Sequence, residues 1–354
     1  RTARLLALLA KMGCKVTFVA DNLQSDEPYC ENLRAQGIEV LHAPYVTSMK
    51  AYLRQWGGLY DVITFCRHYI AVNYVDLLRE HHPKTCIWFD TVDLHHLRLD
   101  RQYKLDGQAA TKAMAELARA QELEVIHKSD LTIVVSDVEK LELASSAPTA
   151  NVSIISNIHE MQTSKTTFEG RSGIMFVGGF QHPPNIDAVE YYAKDIWPLF
   201  RARYPDVDTY IIGSRMPESL KKFGENRGLK MLGYVEDLDT YYQRCVMAIA
   251  PLRYGAGIKG KVNQAVSYGI PVVASTVAIE GMNLTHGREV MEASNPQAFA
   301  SAMIDIYDDP NLWKTLSDHG RKSLEGRFTT EVAERALSAA LSSFFGKWDA
   351  KAIS

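Results

Sequence analysis

Short apolar runs alternate with longer amphipathic stretches along most of the chain. In the first half, the strand-length runs are Lys15–Ala20, Ile38–Leu41, Asp61–Phe65, Thr85–Phe89, Leu131–Val135 and Val152–Ile155. The second half continues the pattern with Gly173–Gly178, Asp208–Ile212, Lys230–Leu232, Val246–Ala250 and Pro271–Ala274. Strands that alternate with helices are typical of a parallel sheet covered by helices. The pattern therefore predicts an α/β protein with two such series.

The strongest helical stretch begins near Asn185, which we expect to be its N-cap. Its apolar positions recur at three- and four-residue spacing, which predicts a core-facing stripe: Ile186, Val189, Ala193, Ile196, Trp197 and Phe200. Three helical segments follow from Pro296, the last over Thr330–Phe345. The chain opens in a helix, whereas such a domain normally begins with a strand, so we expect the first strand to be missing.

The length of 354 residues favours two domains of about 100–200 residues each. A polar segment without periodicity at 161–172 is a candidate linker. We therefore predict a first domain over 1–160 and a second over 173–328. A C-terminal helical segment over 329–354 completes the chain.

Charge and composition exclude several classes of function. The 39 basic and 42 acidic residues are interspersed, so no field of one sign indicates a nucleic acid partner. The five cysteines are scattered and form no Cys-x-x-Cys pair, which argues against a disulfide framework or a zinc site. No apolar run approaches the roughly 18 residues that a membrane-spanning helix needs. We expect a cytoplasmic protein without a transmembrane segment.

A glycine- and lysine-rich run, Pro251–Lys261, follows a strand and precedes the helix Val262–Tyr268. Glycines let backbone N–H groups approach a ligand, and the helix end and two lysines add positive charge. The alternative is a flexible surface turn with solvated lysines. Because open α/β sheets bind ligands at the carboxyl ends of their strands, we favour a diphosphate site. Lys259 and Lys261 would supply its charges, and Gly255, Gly257 and Gly260 would let the backbone approach the ligand closely.

Two further segments after strands carry candidate chemistry. A second glycine turn, Gly178–Gly179, leads into the helix near Asn185 and is expected to face the first turn. In the first half, residues 88–101 contain several carboxylates, histidines and arginines directly after a buried strand. The candidates there for acceptor handling or proton transfer are Asp90, Asp93, His95 and Arg98. A structural histidine or a divalent cation site is the alternative interpretation, but we find no companion acidic cluster for a metal.

These segments together resemble the retaining glycosyltransferases of family 4, in the variant with a Pro-Leu-Arg-x-Gly-x-Gly-x-Lys-x-Lys donor motif. The resemblance covers nearly the whole chain and is most specific over 176–188 and 250–274. It implies the GT-B fold, with two Rossmann-like domains whose parallel sheets face each other across a cleft. The C-terminal half would bind a nucleoside-diphosphate sugar and the N-terminal half a saccharide or lipid-linked acceptor. The last helix would pack back on the first domain.

Carried over by position, the resemblance places His95 near the reacting centre. With the candidates that follow the buried strand, we predict His95 and Asp93 as catalytic residues and Asp90 and Arg98 as residues that orient the acceptor. The implied donor residues are Gly178, Gly179, Arg253, Tyr254, Gly255, Ala256, Gly257, Lys259, Lys261 and Gln264. It implies no cofactor beyond the donor and no metal. Polysaccharide assembly at the cell surface is the expected setting, and association with the inner face of the membrane stays open.

Two departures from the family pattern affect the donor residues. The paired glutamates of many members align here with Ala256 and Gln264, and the second normally binds ribose hydroxyls. An Arg and a Lys that many members carry on the turn at 179–185 are absent, which leaves the phosphates to Lys259 and Lys261. Two other functions therefore stay open, a catalytically silent nucleotide- or carbohydrate-binding module and a sugar-nucleotide epimerase with the same fold.

Overall fold

A computed structural model describes residues 1–162, 167–225 and 228–346. The chain divides into two compact units. Unit 1 comprises Arg1–Asp100, Gln108–Ile158 and Thr330–Ser354, and unit 2 comprises Arg101–Gly107 and His159–Thr329. Within the predicted linker, residues 163–166 lie outside the described part of the chain, as do residues 347–354 of the predicted C-terminal segment.

Unit 1 carries two parallel sheets. Its strands are β1 (Thr17–Val19), β2 (Glu39–Leu41), β3 (Val62–Cys66), β4 (Cys86–Asp90), β5 (Leu131–Val134) and β6 (Val152–Ile154). Strands β1 and β2 pair with each other, and the others form a sheet in the order β3-β4-β5-β6. The helices are α1 (Thr2–Lys11), α2 (Tyr29–Arg34), α3 (Met49–Trp56), α4 (His68–Ala71), α5 (Val75–His81), α6 (His95–Asp106), α7 (Ala109–Lys128) and α8 (Asp137–Ser146). Residues 101–106 of α6 belong to unit 2.

Unit 2 is built on one six-stranded parallel sheet. Its strands are β7 (Ile174–Val177), β8 (Thr209–Ile212), β9 (Leu229–Gly233), β10 (Met247–Ala250), β11 (Val272–Ala274) and β12 (Met291–Glu292), in the order β12-β11-β10-β7-β8-β9. The helices are α9 (Pro183–Tyr191), α10 (Trp197–Arg203), α11 (Glu218–Lys221), α12 (Asp239–Arg244), α13 (Gly260–Ser267), α14 (Thr276–Ile279), α15 (Pro296–Asp308) and α16 (Pro310–Glu325). Each predicted strand is present, and the α/β class is confirmed.

The helix predicted near Asn185 begins two residues earlier, so the prediction that Asn185 is its N-cap is wrong. The N-cap is His182, and Pro183 and Pro184 occupy the first helical positions, where proline's missing N–H costs nothing. A π-helical turn, Tyr192–Ile196, joins α9 to α10. The predicted apolar stripe packs into the core: Val189, Ala193, Ile196, Trp197 and Phe200 are buried, and Ile186 is half-buried.

The last helix, α17 (Thr330–Phe345), belongs to unit 1. Its apolar stripe of Ala333, Leu337, Ala340 and Leu341 joins a buried cluster with Leu5 and Leu8 of α1 and with residues of β4 and β5. Spacing of three and four residues places this stripe on one face of the helix, where it removes apolar surface from water. None of the described helices is long and apolar enough to span a membrane.

Candidate functional site

The strand order of unit 2 reverses between β7 and β10, its two central neighbours. Chain order runs outward from β7 to β9 on one side and from β10 to β12 on the other. Such a switch point opens a crevice at the carboxyl ends of the strands, where α/β proteins bind ligands. Both predicted glycine turns lie there, since Gly178 follows β7 and Pro251 follows β10. The topology thus brings together segments 73 residues apart, from 178 to 251.

Close packing at this edge requires glycine. A Cβ on Gly178 would lie 2.8 Å from the side-chain amide of Asn185 and 2.9 Å from Lys261 Nζ. A Cβ on Gly213, which follows β8, would lie 1.9 Å from the carbonyl oxygen of Gly178. Gly179 is less confined, because its nearest neighbour would be Gln181 Oε1 at 3.4 Å. The absence of a side chain on Gly178 therefore lets Asn185 and Lys261 pack directly against the backbone of the first turn.

Lys261 is held by neutral groups. Its Nζ donates a 2.5 Å hydrogen bond to Asn185 Oδ1 and lies 4.0 Å from the centroid of the Phe176 ring. Asn185 in turn donates from Nδ2 to the Gly179 carbonyl oxygen at 2.7 Å. In the part of the chain that the structure describes, Lys261 forms no ion pair with a carboxylate. Desolvation of the ammonium, and then the nearby charge of Lys259, lower the pKa of Lys261 to about 7.

Lys259 lies directly before α13 and folds back on its own loop. Its Nζ donates to the Gly257 carbonyl oxygen at 2.7 Å. Gly257 has a φ of 68°, a left-handed conformation that favours glycine. Within unit 2, Arg101 donates to the Gly255 carbonyl oxygen at 2.6 Å and forms a bidentate ion pair with Glu280. No pattern in the sequence indicates that Arg101 supports this loop.

The other predicted donor residues are distributed around the two turns. Arg253 is exposed and forms a bidentate ion pair with Asp187 of α9, and its guanidinium lies 5.1 Å from the Tyr191 ring centroid. Tyr254 is buried, whereas Ala256 and Gln264 are half-buried. The structure therefore joins Gly178, Gly179 and Lys261 directly, and ties Arg253 to a carboxylate instead.

In unit 1, β4 delivers the predicted acidic and histidine residues to the carboxyl edge of its sheet. Asp90 is buried and accepts hydrogen bonds from the Arg1 guanidinium and, at 3.0 Å, from the Val92 amide. Asp93 bridges two partners, since one oxygen lies 3.2 Å from His95 Nε2 and the other accepts from Arg98. His95 is buried. The carboxylate of Asp93 can therefore orient both the imidazole and the guanidinium.

A buried glutamate that the sequence did not single out supports His95 from behind. Glu122 of α7 accepts from the amides of His95 at 2.6 Å and His96 at 3.3 Å, and its carboxylate lies 2.5 Å from His96 Nδ1. Burial alone would raise the pKa of Glu122, but the neighbouring imidazoles of His68 and His96 and the hydrogen bond from the His95 amide outweigh it and lower the pKa to about 2. An ionised carboxylate thus satisfies the first amides of α6.

Two more missed residues complete this region. Glu139 of α8 is buried and accepts from the amides of Leu94 and Val135, each at 3.1 Å. The His68 ring packs edge-on against that of His95, with centroids 4.8 Å apart. Glu139 stands three residues after the N-cap Ser136, a spacing that signals a helix start but not a contact with Leu94. His68 has a signal for the site itself, because it follows β3 as the predicted cluster follows β4. Neighbouring parallel strands end at the same edge of a sheet.

Metal binding was the alternative interpretation of the Asp90–His95 segment. Among the residues that the structure describes, no group of three or more His, Cys, Asp or Glu side chains is arranged to hold a metal ion. The two aspartates of the segment have arginine partners instead.

Comparisons with known proteins bear on both halves of the chain. Residues 171–309 match the family model described as Glycosyl transferases group 1. The matched range includes both glycine turns. An uncharacterized 44.6 kDa protein in the cps region of Klebsiella pneumoniae is 27% identical over 140 residues. That match covers 37% of this chain and 36% of the relative, so it spans little more than a third of the relative's length.

Solved structures match over nearly the whole chain. Sucrose-phosphate synthase from Thermosynechococcus elongatus has a TM-score of 0.74 at 16% identity, covering 97% of this chain and 92% of that one. Anabaena HepE in complex with UDP-glucose has a TM-score of 0.72 at 14% identity and covers 96% of each chain. The chain has the GT-B fold of two parallel-sheet α/β domains. With the family match, these likenesses support the predicted glycosyltransferase enzyme.

Proposed function

We propose that this protein transfers a sugar from a nucleoside-diphosphate sugar to a saccharide or lipid-linked acceptor, with retention of anomeric configuration. The observation that carries the proposal is Lys261, whose ammonium lies between Gly178 and Asn185 at the switch point of unit 2 without a carboxylate partner among the described residues. A desolvated cation beside exposed backbone is a site for an anion. The diphosphate of a sugar nucleotide is an anion of suitable charge and size.

The donor roles follow from the two turns. The backbone of Gly178 and Gly179 would approach the phosphates, and Lys259 and Lys261 would neutralise them without a divalent cation. Arg253, Tyr254, Gly255, Ala256 and Gly257 would lie along the sugar, and Gln264 would accept a hydrogen bond from the ribose. HepE was solved with UDP-glucose, which makes UDP-sugars the first donors to test.

Unit 1 would handle the acceptor. His95, oriented by Asp93, would lie at the reacting centre, while Asp90 and Arg98 would shape its surroundings. The relative in a cps region supports a role in polysaccharide assembly. A cytoplasmic location, with the protein at the inner face of the membrane, fits an acceptor carried on a lipid.

Calorimetry with a panel of UDP-, GDP- and dTDP-sugars tests the donor site, together with transfer assays on the same samples. We expect binding of at least one donor, with loss of binding in Lys261→Met. Lys222→Met is the matched control, because Lys222 is exposed and also lies near an aromatic ring, Phe223, at 5.4 Å. Absence of binding by every donor contradicts the proposal. Binding without transfer, also after Gln264→Glu, favours the silent module.

A further inference from the structure

Two exposed residues, Arg67 and Tyr69, lie beside His95 in unit 1 and have no assigned role. They follow β3, whose last residue Cys66 pairs in register with Asp90 of β4. The Arg67 amide donates to the Asp90 carbonyl oxygen at 2.9 Å. The Tyr69 ring centroid lies 5.7 Å from that of His95. Both residues therefore belong to the same sheet edge as the proposed reacting centre.

The pair is held at the surface. Arg67 has a φ of 73°, in the left-handed region that residues with a side chain rarely adopt. Its Nη1 donates to the Tyr69 hydroxyl at 3.1 Å, and Tyr69 is 44% exposed. The backbone thus turns a cation and an aromatic face outward together. Aromatic faces of this kind supply contact area, and the attached hydroxyl supplies a polar group.

The acidic groups around Arg67 already have cationic or imidazole partners. Asp90 pairs with Arg1, Asp93 with Arg98 and His95, and Glu122 with His96. Arg67 itself forms no ion pair with a carboxylate anywhere in the described ranges. The edge therefore presents one arginine charge that the protein does not compensate. An arginine fork matches a carboxylate or a phosphate geometrically.

We propose that Arg67 and Tyr69 form an acceptor subsite for a saccharide that carries a negative charge. The sugar ring would pack on Tyr69, and Arg67 would pair with an acidic group of the acceptor. This inference rests on the proposed function, because it places the acceptor beside His95. The anion is either the carboxylate of an acidic sugar or the phosphate that links a saccharide to a lipid, and both present the same chemistry to Arg67.

A binding experiment with three sets of probes separates these sources: neutral oligosaccharides, uronic-acid oligosaccharides and saccharides linked to a lipid through phosphate. The full chain is compared with Arg67→Gln, Tyr69→Leu and the control Arg119→Gln, an exposed arginine of α7. Glutamine tolerates the left-handed position no worse than arginine, so Arg67→Gln is expected to fold. Thermal unfolding of each variant checks this.

We expect the unsubstituted protein to bind one of the two charged sets of probes more tightly than the neutral oligosaccharides. Arg67→Gln should weaken that binding at least about tenfold, as loss of one charge-assisted hydrogen bond does, and leave neutral probes unaffected. Tyr69→Leu should weaken every probe, and Arg119→Gln none. Preference for neutral probes, binding of no probe, or undiminished binding by Arg67→Gln would overturn the inference. UDP-sugar calorimetry on the same samples reports separately on the proposed function.

Discussion

The four-stranded sheet of unit 1 and the six-stranded sheet of unit 2 differ in how the charges at their carboxyl edges are paired. At the edge of unit 1, carboxylates and cations are paired: Asp90 with Arg1, Asp93 with Arg98 and His95, and Glu122 with His96. At the edge of unit 2, Lys261 has an amide oxygen and an aromatic face as its partners. The carboxylates at the edge of unit 1 are thus compensated, and only the exposed Arg67 lacks a carboxylate partner among the described residues there, whereas the desolvated cation of unit 2 is held by neutral groups.

This difference distinguishes a network that orients side chains from a cation that can bind a ligand. A paired network fixes its side chains, because breaking one bond leaves a buried charge without a partner in surroundings of low dielectric constant, which is costly in free energy. A cation held by neutral groups is itself destabilised by desolvation, and an anionic ligand relieves that cost. We therefore expect substitutions in unit 1 to cost stability and substitutions of Lys261 to increase it.

The largest expected effect is that of Glu122→Gln. It should lower the free energy of unfolding by about 3 kcal/mol, because it removes the charged acceptor of a buried network. Urea unfolding followed by circular dichroism measures the change. Glu124→Gln is the control, since Glu124 lies on the same helix in an exposed ion pair with Lys128 at 2.7 Å and should cost about 0.5 kcal/mol or less. Equal costs for the two variants would contradict a special role for Glu122.

Acid titration sharpens the same point. The folded pKa of Glu122, about 2, lies below that of an unfolded glutamate. Its contribution is therefore fully present above about pH 4.3 and is lost as the pH falls toward 2. The stability difference between the full chain and Glu122→Gln should shrink over that window.

Lys261→Met should have the opposite sign and raise the free energy of unfolding by about 1 to 2 kcal/mol. The lowered pKa of Lys261 shows that burial disfavours its charged form, which is the cost that methionine removes. The same urea experiment measures the gain. Lys222→Met should leave stability within about 0.5 kcal/mol. A loss of stability in Lys261→Met would mean that the cation is compensated after all.

The affinity for UDP-glucose should fall as the pH rises above 7. With a pKa of about 7, Lys261 loses its proton over that range and must regain it to pair with the diphosphate. The limiting slope is about tenfold in affinity per pH unit above the pKa. UDP-glucose is the suitable ligand because its diphosphate does not titrate near neutrality. A flat profile from about pH 6 to 9 in calorimetry would exclude Lys261 as the titrating group.

The smallest expected effect is that of Gln264→Glu. A charged acceptor for the ribose hydroxyls should strengthen UDP binding by up to about tenfold, or about 1.4 kcal/mol. Calorimetry measures it, with Gln243→Glu on unit 2 as a control for added negative charge. If both variants bind UDP equally, position 264 does not contact the ribose.

The sequence predicted the sheets better than the site. Buried strands such as β5 and β10 are continuous apolar runs that need no tertiary information, whereas β12 has only two residues and gives no readable pattern. The Pro183–Pro184 pair correctly indicates where α9 begins. The prediction placed the start at Asn185 instead, because asparagine is a favourable N-cap residue. Lys261 was identified because glycines and lysines follow a strand, whereas its partners Asn185 and Phe176 come from elsewhere in the sequence.

Glu122 could not be predicted because it lies within a helix, and only tertiary packing brings it to the amide of His95. The contact of Glu139 with the Leu94 amide likewise depends on tertiary packing. His68 and Tyr69 could have been predicted from the sequence. They directly follow the end of β3, and Asp90 is the last residue of the neighbouring strand β4. Polar residues that follow adjacent parallel strands should therefore be considered together when a site is predicted from the sequence.

The most direct test of the account is calorimetric titration of the full chain and of Lys261→Met with UDP and UDP-glucose near pH 6.5. The account predicts that the full chain binds both ligands, that Lys261→Met binds neither while being the more stable protein, and that Lys222→Met binds both. Undiminished binding by Lys261→Met would contradict the claim that this uncompensated lysine forms the diphosphate site.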